Sequence, residues 1–252
     1  IENSSVRATS TAASSQAIAS SQDLEITNST VNCSSVGVTL YTSSGDINIS
    51  GSTVNASAER DTVIAPGVGY NIYITNNSNV TAERGDQPNS NGYSTSAIEA
   101  DIIHIFDSSL SSVTYADYLN IFAWDELKIA NSTVKAYNNS DKGHISIYCE
   151  SGPVSIEDSE VYAESKGNYA ICSWQDKVTI SDSIVTALSN SSTGWESIAV
   201  SKTVDIEGSW VVTDNGYFSS ATYYYNSVSF KDGTGKAYGD AVLPGDVTLP
   251  ED

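Results

Sequence analysis

The sequence predicts an all-β chain wound into a single-stranded parallel β-helix of about ten coils, and three observations predict it. An eight-residue pattern recurs at intervals near 25 residues. Apolar and polar residues alternate on both sides of its centre. Between the two alternating runs falls a column of Asn, Asp or Gly, followed by a column of Ser.

The pattern is plainest in "IANSTVKA" 129–136, "IEDSEVYA" 156–163 and "ISDSIVTA" 180–187. Its opening residue stands at Ile1, Ile26, Ile49, Ile74, Ile105, Ile129, Ile156, Ile180, Ile206 and Phe230. The intervals are 25, 23, 25, 31, 24, 27, 24, 26 and 24 residues, so one coil alone is much longer than the rest. Two residues before this anchor stand Leu24, Ile47, Ile72, Ile103, Leu127, Val154, Val178, Val204 and Val228. Five after it stand Val6, Val31, Val54, Leu110, Val134, Val161, Val185 and Val211, and seven after it mostly Ala, with Cys33 in the same column. The coil after Ile74 keeps the pattern with one extra residue, which places Val80 and Ala82 there. A period of two is that of a strand with one buried face.

The corner column reads Asn3, Asn28, Gly51, Asp107, Asn131, Asp158, Asp182, Gly208 and Asp232. These residue types tolerate a left-handed backbone. The serine beside each can bond to the turning backbone. A third apolar run follows in each unit: "QAIAS" 16–20, "VTLYT" 38–42, "TVIAP" 62–66, "LNIFAW" 119–124, "ISIYC" 145–149, "YAICSW" 169–174 and "SIAVS" 197–201. Three strands per coil, stacked at about 4.8 Å per coil, give a rod on the order of 45 Å long. Leucine-rich repeats need a leucine and asparagine spacing that is missing, and no stretch holds a helical period.

The 11 basic and 31 acidic residues leave a net charge of −20. Nucleic acid and anionic membrane surfaces need a basic face and are excluded as expected partners. No apolar run reaches membrane-spanning length, so no membrane insertion is expected. Charge that opposes edge-to-edge association suits a strand-rich rod, and a monomer is expected. The chain starts on an anchor and has no Met, and its last residues, "AYGDAVLPGDVTLPED" 237–252, leave the pattern. A segment of something longer is expected: a repeat domain over 1–240, then a tail or the start of another module over 241–252. Cys33 reads as a buried inert thiol in a small-residue column. Cys149 and Cys172 sit one residue out of step, which puts them on opposite faces and argues against a disulfide.

The columns I-x-[NDG]-S-x-V-x-A, together with the tail "YGDAVLPGDVTLPED", resemble the β-helix repeat modules of large adhesin-like surface proteins of Gram-positive gut anaerobes. The resemblance covers nearly the whole chain and rests on repeat style. It implies a right-handed β-helix in an extracellular setting, attached to the cell surface through regions outside this segment. Partners would be host or dietary glycans or a host surface protein. The Asn-rich corner also resembles the asparagine ladder of pectate-lyase-type helices.

A polysaccharide lyase or hydrolase is the alternative, since enzymes share this fold. The sequence carries little for it. Polygalacturonase-type signatures are missing, and "KGHI" 142–145 lacks the second glycine. His104 and His144 have no nucleophile beside them in any familiar order. The acidic pairs in "WDEL" 124–127 and "IEDSE" 156–160 fall at strand ends and read as exposed turns. A non-catalytic module without a resident cofactor is therefore expected, a plain structural stalk being a further alternative.

Binding candidates are aromatic. Phe122, Trp124, Tyr148, Trp174 and Tyr224 fall on the third strand of nearby coils, with Trp195 in a loop just before it. Outward rings on one face suit the apolar faces of sugars, whereas inward ones belong to the core. Asp158 and Asp182 share the corner column on adjacent coils, a candidate calcium pair, although turn chemistry alone explains Asp there. The long coil carries "AERGDQPNSNGYSTS" 82–96, with Arg84-Gly85-Asp86, a tripeptide found in integrin ligands and here most simply a chance match.

Overall fold

The computed structural model describes residues 1–13, 15–88, 95–142, 144–190, 197–200 and 202–214, with the backbone of strands Ser227–Lys231 and Thr234–Ala237. Among these residues there is no helix, and every strand pairing is parallel. The strands stack into a β-solenoid of about eight turns.

One wall is a ten-stranded sheet built from the second half of each repeat. It runs Ser5–Ser10, Thr30–Ser35, Thr53–Ala58, Asn79–Arg84, Ser109–Thr114, Thr133–Asn138, Glu160–Ser165, Ile184–Leu188, Trp210–Thr213 and Thr234–Ala237. The anchors form a second wall, in register from Ile26 through Ile49, Ile74, Ile105, Ile129, Ile156 and Ile180 to Ile206. The third runs make a third wall, in strands such as Leu40–Thr42, Ile147–Cys149, Ile171–Ser173 and Ile198–Val200. Two strands, Ile98–Phe106 and Ile121–Ala130, bend through both of these walls without a break. The first includes "IEAD" 98–101, the third-wall run of the long coil, which the repeat columns alone do not mark.

The inward columns interlock into one core in which these anchors are buried. Each fully buried aliphatic side chain contributes roughly 1.5–3 kcal/mol before conformational entropy is subtracted. Cys33 lies in that core beside Ala56, and burial pushes its thiol up to about 12.

The corner adopts the left-handed backbone its residue types predict. Positive φ occurs at Asn3, Asn28, Gly51, Asp107, Asn131, Asp158, Asp182 and Gly208. In the coil after Ile74 both Asn76 and Asn77 are left-handed, which absorbs the extra residue and returns Val80 to register with Val54.

The ladder that ties these corners together runs through serine, not asparagine. The backbone N–H of Ser29 donates to Ser52 Oγ at 3.0 Å, and the same link joins Ser52 to Ser78, Ser78 to Ser108, Ser108 to Ser132, Ser132 to Ser159, Ser159 to Ser183 and Ser183 to Ser209. Each hydroxyl from Ser108 onward donates in turn to the carbonyl two residues back in its own coil, as Ser132 does to Ala130 at 2.7 Å. From Ser4 to Ser183 each turning N–H in this column is satisfied without a strand partner.

The long coil is strapped by a fully buried arginine. The Arg84 guanidinium donates to the carbonyls of Glu59, Arg60, Gly85 and Gln87, and to Thr95 Oγ1. A guanidinium held this way is not offered to a partner, so the Arg-Gly-Asp tripeptide is a structural feature of the loop base. All three cysteines are free and buried; Cys149 lies in the main core and Cys172 on the outer side of the same wall.

Candidate functional site

Two of the exposed aromatic side chains of the described residues, Trp124 and Trp174, stand on the third wall. Ala123, Cys149 and Ser173 are paired in register on three consecutive strands. The residues that follow them, Trp124, Glu150 and Trp174, are held by backbone bonds from Glu150 N to Ala123 O, from Ser151 N to Trp124 O and from Trp174 N to Cys149 O. Strand alternation turns the first three side chains inward and the next three outward. Trp124 and Trp174 are 45% and 50% exposed. They stand two strand steps apart, about 10 Å, with Glu150 on the strand between them.

A close backbone approach makes this stacking possible. A Cβ on Gly152 would lie 1.7 Å from the Asp125 carbonyl oxygen, so only glycine lets this coil cross Trp124–Glu126 at that height. The Gly152 carbonyl accepts from Ser173 Oγ at 2.9 Å, which fixes the next coil as well.

Beneath the row lies a second, smaller apolar cluster. Phe122, Tyr148, Cys172 and Ala199 form an outward column in register, and Leu119, Ile145 and Tyr169 pack over it from the preceding segments. Phe122 and Tyr148 are only 3% and 8% exposed, so they support the site and are not open to a ligand. The Phe122 ring sits 4.6 Å from that of Trp124 and 5.4 Å from that of Tyr148, centroid to centroid. The Tyr148 hydroxyl donates to the Glu150 carboxylate. Burial first, and that hydrogen bond second, push the Tyr148 phenol well up, which keeps it a donor.

Three groups that the sequence reading did not single out complete the site. Glu99 pairs in register with Phe122. Burial raises its carboxyl above the usual range, and a hydrogen bond from the Trp124 indole lowers it in part. Tyr118, 37% exposed, has its phenol raised by burial and by the charges of Glu99 and Glu150. Its carbonyl accepts from Asn138 Nδ2 at 2.5 Å and from the His144 N–H at 3.3 Å, which pins the segment that presents it. The third group is Glu150. The signal for Glu99 was the alignment of "SAIEAD" 96–101 with "LNIFAW" 119–124; Tyr118 lies one residue before that run.

Trp195 and Tyr224 lie outside the described residues. Asp158 and Asp182 are exposed on the corner and line an open groove with Asp107, Asn131, Glu160 and Ile184. The Asp182 carboxylate leans over Gly208 in the next coil, where a Cβ would meet its Oδ1 at 2.3 Å. Among the described residues no group of three or more His, Cys, Asp or Glu side chains is arranged to hold a metal ion. The acidic pairs are divided between partners: Glu126 faces His104 Nε2 at 3.2 Å, and Glu157 faces Lys128 Nζ at 4.0 Å. His104 points outward and stacks on Phe106, 5.1 Å between centroids.

No protein-family model, curated protein or solved structure matches this chain. Among the described residues no helix is long and apolar enough to cross a membrane.

Proposed function

We propose that this chain is a non-catalytic extracellular module of a bacterial surface protein, an adhesin-like spacer that binds carbohydrate on its third wall. One observation carries the reading: Trp124 and Trp174 stand half-exposed on one outward row, backed by a packed apolar layer that holds them there. Exposing two indoles costs solubility and adds nothing to the core, so such a pair points to an interface. Flat rings at a fixed spacing suit the apolar faces of sugar rings, while Glu150 and Glu99 supply acceptors for ring hydroxyls. The serine ladder and the continuous aliphatic core make the rest of the chain a stiff support, the property a spacer needs.

The test is gel retardation of the purified chain against plant, mucin and bacterial polysaccharides, with calcium and with chelator. Retardation on a specific glycan that disappears in Trp124→Ala and in Trp174→Ala supports the reading. Migration unaffected by every polysaccharide counts against carbohydrate binding and favours a structural stalk.

A further inference from the structure

We propose that the Trp124–Glu150–Trp174 row takes an extended polysaccharide lying along the rod axis, and that its sugars carry free amines. The inference rests on the carbohydrate-binding reading above and names the ligand class within it.

The direction follows from register. The three side chains leave consecutive parallel strands at the same height. A chain that touches both indoles must therefore cross the strands, which is to run along the axis, and must pass over Glu150.

The charge follows from what surrounds the rings. Glu150 sits between the indoles with one carboxylate oxygen held by the Tyr148 hydroxyl, which aims the group without neutralising it. Glu99 lies against the Trp124 indole, and Tyr118 lies within the fields of Glu99 and Glu150 together. Lys202, from the coil beyond Trp174, is paired with Asp176 at 3.1 Å and so presents no free cation to the row. Faces of aromatic rings attract cations, and a carboxylate among them strengthens the attraction. The net charge of −20 adds a long-range field that draws cations in and repels uronic-acid polymers. A neutral sugar could stack on the indoles and donate hydroxyls to Glu150, but it would not meet the carboxylate's charge. A protonated amine supplies one, and a flat pyranose ring beside it uses the indoles as a peptide amine would not.

Titration calorimetry of the whole chain decides this, with four soluble probes: a β-1,4-linked glucosamine hexamer, its fully N-acetylated counterpart, a galacturonate hexamer and a lysine hexapeptide. The expected result is binding of the glucosamine hexamer about tenfold tighter than of the acetylated one, the scale of one charge-assisted hydrogen bond from the amine to Glu150. Glu150→Gln should close that gap, and Trp124→Ala or Trp174→Ala should remove binding of both sugars. Circular dichroism of each variant checks that the fold is retained. Equal or tighter binding of the acetylated hexamer, or a preference that survives Glu150→Gln, overturns the amine inference and leaves carbohydrate binding standing. Lysine hexapeptide binding as tightly as the glucosamine hexamer, unchanged in the tryptophan variants, also overturns it, because charge alone then explains the effect. No heat with any of the three sugars overturns the amine inference, whereas the carbohydrate-binding reading falls only if the polysaccharide gels above also show no retardation.

Discussion

The backbone N–H of Ser132 donates to the hydroxyl of Ser159, 27 residues later and one coil further along the rod, at 3.1 Å. The same hydroxyl donates to the Glu157 carbonyl in its own coil. One small side chain thus satisfies a buried donor in one coil and a turn carbonyl in the next. Ser159→Ala should cost about 1–3 kcal/mol, because it leaves the Ser132 N–H buried without a partner. Urea unfolding should show a lower midpoint with little change in slope. An unchanged midpoint would mean that water replaces the hydroxyl, and that the ladder is geometry without energetic weight.

Gly152 carries a second stacking constraint. Gly152→Ala puts a Cβ into the Asp125 carbonyl, so backbone must move. Overpacking of this kind costs on the order of 1–3 kcal/mol or more. Thermal unfolding should shift down by several degrees. Trp fluorescence should also change in the folded state, because Trp124 and Trp174 belong to the coils on either side.

The two layers of the third wall should separate by mutation. Phe122→Ala removes a buried ring from the outer cluster and should cost about 3–5 kcal/mol. Trp124→Ala removes a half-exposed one and should cost less, while abolishing glycan retardation. Equilibrium unfolding of both variants beside the gel assay tests the division between a supporting ring and a contacting one. Equal destabilisation by the two would place Trp124 in the core.

The left-handed corner predicts an ordering of substitutions at Asn131, where φ is 48°. Asn131→Gly should be nearly neutral, since Gly51 and Gly208 already occupy this column with similar angles. Asn131→Ala should cost roughly 1–2 kcal/mol, the penalty for an alanine forced into this region. Chemical denaturation of the pair gives the difference directly.

Cys33 predicts the alkaline limb. Burial raises its thiol from 9.0 to about 12, so above pH 9 the unfolded chain loses a proton that the folded chain keeps. Stability from this group is full below pH 9 and falls as pH rises toward 12, by up to about 1.4 kcal/mol per pH unit. Cys33→Ala, which matches Ala56 in the same column, should flatten that loss relative to the parent between pH 9 and 11. Urea midpoints across that range measure it. Identical pH profiles for the two proteins would show that the thiol is not what titrates.

Much of this architecture was legible because a solenoid writes its tertiary contacts into a one-dimensional period. Ile129, Ile156 and Ile180 must recur because each sits on the next, and Asn131, Asp158 and Asp182 because each coil turns at the same place. The site was legible only in part. Trp124 and Trp174 fall on the same strand of their coils in the sequence, but so do Phe122 and Tyr148, and alternation cannot tell an outward ring that is covered from one that is bare. Leu119, Ile145 and Tyr169 decide that by packing over the outer face.

By itself, then, the sequence determined the coil, its corner and its core, since side chains at fixed spacing must stack on their own kind. Only the tertiary structure decided that serine rather than asparagine carries the ladder, because that depends on which side chain reaches the coil beside it. It also decided that Arg84 is buried in a cage of carbonyls, that Glu99 meets the half-exposed Trp124 and that Glu150 stands between Trp124 and Trp174. The contacts of the aromatic site join neighbouring coils on their outward faces, as Glu99 meets Trp124 from 25 positions away, and there no shared core forces a repeating residue type, so the chain is free to differ from coil to coil.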